Sequence, residues 1–308
     1  MPELQDLHVD GGIPPVSELD PEVGPLDCKA QLTKLRQLVL AGNAVDCARF
    51  FDWVSILATT RVRIAGWTRH HEDSGLERLM CAFTRLLANG VPIVSAAALP
   101  STCYEYVFRG WRSMGGPELD PLEADMALCL SSGDPGAALG IVGRSFPRLP
   151  NVNYFHLEIS RTCWEIAPMM RHLPSLKTFS IGGDLVAPAS PSFLPHVVWR
   201  DIARGDGANA GDTGSPEEIH LTEVRLGHGH GGQALGFLGG LLEYLQARKD
   251  RGKSLKTLPL SRCCNVVDAD VECFRDLVGI VIWDGAVYME PEVSEDEPED
   301  EDDPDGND

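Results

Sequence analysis

No stretch of these 308 residues is apolar for long enough to cross a bilayer: the best candidate, Val91 to Leu99, falls far short of the ~20 residues a spanning helix needs. The opening MPELQDLHVDGG has neither the basic region nor the apolar region of a secretory leader. Nine cysteines are scattered with an odd total and no CxxC pair, which argues against a disulfide framework and for reduced, mostly buried thiols. These absences predict a cytoplasmic or nuclear protein that does not enter membranes. Bases are scarce, 26 Lys+Arg against 46 Asp+Glu for a net charge of −20. Twelve of the acids lie between Glu290 and Asp308 with no base among them, which leaves the rest of the chain at −8. A body of that sign repels a phosphate backbone, so nucleic acid is excluded as a main partner. Nucleophile and phosphate-binding signatures are missing too: no GxSxG, no HExxH and no GxxxxGK[ST]. The expectation is therefore a chain without catalytic residues, metal or cofactor.

What the chain does contain is a repeat. Leu35, Leu38 and Leu40, closed by Asn43, read LxxLxLxxN. In such a unit the two leucines of an extended LxL segment point inward, the earlier one caps their layer, and the Asn side chain bonds backbone where the chain leaves the strand. Degenerate copies place apolar residues at Val152/Phe155/Leu157, Leu176/Phe179/Ile181, Leu221/Val224/Leu226, Leu255/Leu258/Leu260 and Leu277/Ile280/Ile282. Weaker copies stand at Leu4/Leu7/Val9, Val62/Ile64, Leu128/Leu130 and near Ile93. Several of the steps match the roughly 20 to 29 residues of leucine-rich repeats.

Between these segments the apolar period becomes helical. Leu76, Leu79, Met80, Phe83, Leu86 and Leu87 form one stripe; Leu235, Leu238, Leu242 and Leu245 form another. Arg248, Lys249 and Arg251 suit the end of the second helix, with Gly252 as its stop. A short helix starting from Asp268 as N-cap would bury Val271, Phe274 and Leu277. Strand–helix alternation at this period predicts an α/β leucine-rich-repeat solenoid, a horseshoe over residues 1–289 with a parallel sheet on the concave face and helices outside. Residues 185–218, rich in Pro, Gly, Ala, Ser and Asp, read as an excursion ending in a flexible loop, and 290–308 as a disordered acidic tail. Trp283, beside the last copy, is placed to cover the end of the core.

The glycine loop at 227–232 (GHGHGG) satisfies GxGxxG between a strand-like and a helix-like segment, the form of a dinucleotide fingerprint. The acid that would hold a ribose is missing, because Ser261 and Arg262 follow the next strand, and Pro259 sits awkwardly inside it. An NAD(P)-binding enzyme is the alternative from a different class. His228 and His230 would share one side of an extended loop, yet no third ligand is evident nearby. Cys263 and Cys264 read as one buried thiol and one turn residue.

Two segments, Leu35 to Val62 (LRQLVLAGNAVDCARFFDWVSILATTRV) and Leu255 to Gly285 (LKTLPLSRCCNVVDADVECFRDLVGIVIWDG), resemble the leucine-rich-repeat portion of F-box-like proteins of mushroom-forming fungi. The second is similar to the cysteine-containing repeat subtype, through Leu258, Leu260 and Cys263. The resemblance implies repeats that hold a protein substrate. It also implies an N-terminal F-box docking on a Skp-type adaptor of a cullin ubiquitin ligase. Met1 is followed almost at once by the strand-like LQDLHV, so the F-box itself is expected to be absent and the adaptor to bind only if one exists upstream. The substrate-receptor reading is the alternative function; a protein-binding module without a ligase role is the main one.

In a horseshoe the residues flanking the inward apolar pairs form the recognition surface. That assigns Arg61, Arg63, Tyr154, His156, Glu158, Glu223, Arg225 and Lys256 as binding residues. The mixture of one tyrosine with arginines and acids suits a protein partner.

Overall fold

The structure is a computed structural model. It describes residues 3–11, 29–68, 73–89, 93–102, 105–113, 123–131, 141, 145, 148–159, 172–184, 199, 216–225 and 233–285. The described residues form thirteen strands and four helices. In chain order they are β1 (Asp6–Asp10), β2 (Ala30–Leu32), β3 (Gln37–Asn43), α1 (Ala44–Trp53), β4 (Val54–Ile56), β5 (Arg61–Trp67), α2 (Asp73–Asn89), β6 (Ser95–Thr102), β7 (Glu105–Trp111), β8 (Met126–Ser131), β9 (Tyr154–Ile159), β10 (Thr178–Asp184), β11 (Glu218–Arg225), α3 (Gln233–Asp250), β12 (Thr257–Ser261), α4 (Asp268–Arg275) and β13 (Ile280–Trp283).

Eleven strands make one open sheet in the order β1-β3-β5-β8-β7-β6-β9-β10-β11-β12-β13; β2 and β4 pair separately. The sheet is parallel except at β7, which runs antiparallel to both neighbours. An all-parallel sheet with units in sequence order is therefore corrected here: β5 and β6 are three places apart, and β8 and β7 fill the gap. The reason is local. Thr102 pairs with Glu105, so only two residues connect β6 to β7, and a connection that short can only reverse the chain.

Arg112, just past β7, fastens this insertion to its neighbour. Its guanidinium donates to the carbonyls of Ala58 (2.5 Å), Thr59 (3.1 Å) and Thr60 (3.1 Å), while its backbone N–H donates to Asp125 (2.9 Å). The turn before β5 is held in addition by the Thr60 hydroxyl, which donates to the Leu35 carbonyl at 2.8 Å.

Alternation along each strand sends one set of side chains to the helices. Leu38, Leu40, Val62, Ile64, Leu128, Leu130, Phe155, Leu157, Phe179, Ile181, Leu258 and Leu260 are all within 2 % of full burial and join the buried faces of the helices in one core. The layers align because partners are in register, Leu38 beside Val62, Phe155 beside Phe179, Leu258 beside Val281. Phe155 and Phe179 stack with ring centroids 6.2 Å apart and planes 8° from parallel. Full burial of such side chains is worth about 1.5–3 kcal/mol each, the main stabilising term.

The helices follow the sequence in most respects. Asn43 caps α1, its Oδ1 accepting from the Val45 N–H at 2.9 Å, as the LxxN pattern requires. In α2 Leu76, Leu79, Met80 and Phe83 are buried and Leu86 and Leu87 half-buried. The buried stripe of α3 is broader than expected and includes Phe237, Leu241 and Tyr244 beside Leu238 and Leu245. Arg248 is not a solvated end charge: it is 5 % exposed, donates to the Lys253 carbonyl (2.9 Å) and the Tyr244 hydroxyl (2.9 Å), and lies over the Tyr244 ring. Gly252, at φ +68°, ends the helix. The cap of α4 is one residue earlier than Asp268, at Val267, whose N–H donates to Asp270.

Three further expectations are corrected. In β13 Ile280 and Ile282 face away from the core, and Val281 and Trp283 turn to it, Val281 beside Leu258. β11 contributes Ile219 and Leu221 to the inner layers, opposite Phe179 and Ile181, so Leu221 lies in the layer itself rather than before it; Leu226 lies outside the described residues. The register shifts after Thr222, where Glu223 takes φ 57°, and Val224 then returns to the core. Within 185–218, Trp199 returns to the core at 1 % exposure against Phe237 and Tyr244; the rest up to 215 lies outside the described residues, as does 286–308. Of the described cysteines Cys47 and Cys263 are buried, with burial pushing both thiols up to about 11, Cys129 and Cys264 are half-buried, and Cys81 and Cys273 are exposed. Trp283 is half-buried against the core on the edge strand β13. No described helix is long and apolar enough to cross a membrane.

Candidate functional site

The side chains that point away from the helices form the open face of the sheet. Register fixes them into lateral rows. The central row runs His8, Val39, Arg63, Ala127, Arg109, Ala97, His156, Ser180, His220. Toward the N-terminal ends of the strands, Tyr154, Thr178, Glu218, Thr257 and Ile280 stand in line; toward the C-terminal ends, Glu158, Gly182, Thr222 and Ser261 do.

Four of the sequence-predicted residues meet on this face around β9. Tyr154, His156 and Glu158 alternate along that strand, and Glu223 joins them through its left-handed backbone, which lets the exposed carboxylate act on both His156 and Glu158. Arg61 and Arg63 lie on the same face on β5, several strands away. Lys256 does not belong to it: it precedes β12 at the rim, exposed, and pairs with Glu217, which lowers the Glu217 pKa and raises its own. Arg225 ends β11 opposite Asp184, its side chain outside the described residues.

Ser180 organises the β9–β10 part of the site. It is fully buried, and its Oγ lies 3.0 Å from His156 Nδ1. Gly182 makes room for the ring: a Cβ there would come within 3.2 Å of His156 Cε1 and 2.8 Å of the Thr222 carbonyl. Burial holds the His156 pKa below its ordinary value, and the Glu223 charge only partly opposes this, so the ring is neutral. Burial raises the Tyr154 phenol, which the nearby Ser180 hydroxyl eases without a well-directed bond to it. A serine beside a histidine suggests a nucleophile, but a fully buried hydroxyl has no access to a substrate, and the pair serves as internal support. One strand further, the Glu218 carboxylate accepts from Thr178 Oγ1 at 3.4 Å and lies 3.3 Å from His220 Nε2.

Both signs of charge stand on the face. Arg61, Arg63 and Arg109 occupy β5 and β7 among the acids Asp6 and Asp10 of β1 and Glu105 of β7, whereas Glu158, Glu218 and Glu223 occupy β9 to β11. Arg109 is pulled below its ordinary pKa by burial first and by Arg63 second, with Glu158 and Cys129 acting the other way. Glu158 is raised by burial and then by Glu223, and Arg109 opposes. At the far end, Ile280 and Ile282 face the same side at 59 % and 54 % exposure.

Sequence reasoning missed Arg109, Ser180, Glu218, His220 and Thr222. The last three follow from the true register of β11. Arg109 was legible in principle, since Tyr106, Phe108 and Gly110 alternate with Val107, Arg109 and Trp111 as a two-faced strand does.

Residues 226–232, with His228 and His230, lie outside the described residues, although a strand, a helix and a parallel neighbouring strand do flank them. Arg262, the residue placed to meet a phosphorylated ribose, is engaged by Glu223, and its N–H donates to Asp284 at 2.7 Å. Among the described residues no three His, Cys, Asp or Glu are grouped to hold a metal ion. No protein family, curated protein or solved structure matches the chain.

Proposed function

We propose that the open face is a protein-recognition surface and that the chain is a non-catalytic binding module of the leucine-rich-repeat kind. One observation carries this reading: no described helix covers that side of an eleven-stranded sheet, which spans about 48 Å at the usual strand spacing and exposes Arg61, Glu158, Glu223, Ile280 and Ile282, although Ala97, Trp111, Tyr154 and Ser180 are buried on it. Its side chains mix both charges with aromatic and aliphatic groups, the composition of a protein interface rather than of a small-molecule pocket. The in-register leucine layers and the Asn43 cap support the repeat architecture, and the β6–β7–β8 insertion is a departure from it.

The test is capture of proteins from the native cells by the full chain. Parallel captures use a charge inserted on the open face, Val39→Arg or Thr222→Arg, and a control on α2, Arg78→Glu. Partners captured by the wild type and the α2 variant but lost from both open-face variants support the reading. Partners that bind all the variants equally overturn it. A Skp-type adaptor among them would extend the reading to a ubiquitin-ligase substrate receptor, the role implied by the F-box-like resemblance.

A further inference from the structure

Arg63 and Arg109 lie in one lateral row with Ala127 between them, two strands apart and so about 10 Å between Cα atoms. Ala127, Ala41 and Ala65 present only methyl groups, so the two arginines rise beside a depression of about 260 Å³, bounded also by Val39 and Val107. Both guanidiniums keep their charge at any cellular pH, and both side chains are half-buried. Two like charges at the rim of one depression repel each other, and Arg63 adds to the burial that holds the Arg109 pKa below its ordinary value. No carboxylate of the described residues comes within ion-pairing distance of Arg109; Glu158 acts on it only from further off. An anion lodged over Ala127 would relieve the repulsion and meet donors from both sides.

The surroundings select among anions. A polyanionic nucleic acid is opposed by the net −8 of the chain before residue 290 and by Glu158 beside the site. The chain's own acidic segment, 290–308, is opposed by Glu158, Glu218 and Glu223, which stand on the strands between β13 and β7. The apolar walls of Val39 and Val107 suit the methylenes of an acidic side chain. We infer that Arg63 and Arg109 form a clamp for a side-chain carboxylate on a segment of a partner protein laid across the open face. This rests on the reading of that face as a recognition surface and names the chemistry of what it takes.

The experiment is fluorescence anisotropy of a fluorescein-labelled oligoglutamate peptide titrated with the full chain at low salt, with an oligoglutamine peptide as control. The wild type binds oligoglutamate and not oligoglutamine. Arg109→Gln and Arg63→Gln each weaken binding about tenfold, Arg109→Lys weakens it less, and Arg78→Gln on α2 leaves it unchanged. Circular dichroism of each variant verifies folding, and Arg109→Lys keeps the test intact if Arg109→Gln does not fold. Equal binding by the clamp variants and the wild type, or an equal loss in Arg78→Gln, overturns the clamp. Binding that appears only after the acids of 290–308 are replaced by Asn and Gln assigns the site to the chain's own tail and overturns a partner. Displacement of the peptide by micromolar inorganic phosphate assigns it to a small anion and likewise overturns the proposal. If the clamp variants fail while Val39→Arg and Thr222→Arg still abolish capture, the clamp falls and the recognition surface stands.

Discussion

Arg112 shows how much one side chain outside any repeat consensus can hold. It ties the end of β7 to three successive carbonyls before β5, and those carbonyls belong to the turn that the inserted strands must meet. Charge-assisted hydrogen bonds of this sort contribute about 1.5–3 kcal/mol each at most, and they share one guanidinium, so Arg112→Ala should cost about 2–3 kcal/mol in all. Urea denaturation measures it. The control is Arg78→Ala, whose exposed contact with Asp52 at 4.0 Å should be worth under about 0.5 kcal/mol. His156 gives a pH signature at the same scale. Its folded pKa lies below the ordinary ~6.5, so the unfolded chain takes up the proton first. Its contribution is complete above about pH 6.5 and is lost as the pH falls through the folded value. Between about pH 7.5 and pH 5.5 the wild type should lose more stability than His156→Gln, as measured by the urea midpoint. An equal loss in both would show that the histidine is not held neutral.

At the scale of elements, α1 depends on Asn43 more than on propensity, because the strand runs straight into the helix with no loop between them. Asn43→Ala should lower stability by about 1 kcal/mol, while Asn43→Ser, which keeps a capping oxygen, should lose much less. Denaturant midpoints distinguish the two. This cap was legible in the sequence because LxxLxLxxN carries its own mechanism. The α2 stripe was legible for a similar reason: a seventeen-residue helix repeats the 3.6 period often enough to stand out. β11 was not. Ile219, Leu221, Val224 and Leu226 offer two overlapping alternations, and the residue that selects between them is Glu223, whose left-handed backbone has no signature in a glutamate. β7 escaped as well, since its partners are set by a two-residue reversal rather than by the repeat. The candidate site suffered accordingly: the β9 and β5 residues were placed on the correct face, while Arg109 and the β11 set depended on pairings that no local pattern reports.

For the whole molecule, the consequence is a sheet with two unlike faces. One shares a core with the helices, a packing that no single strand–helix unit closes alone. The other carries arginines of β5 and β7 among acids of β1 and β7, further acids on β9 to β11 and isoleucines at β13, an arrangement that on the proposed reading would orient a partner. The most direct measurement is site-specific photocrosslinking in the native cells, with a photoreactive residue at position 222 on the open face or at position 78 on α2. The account predicts a discrete protein adduct from position 222 that is absent from position 78; adducts from position 78 alone, or the same adducts from both, would contradict it.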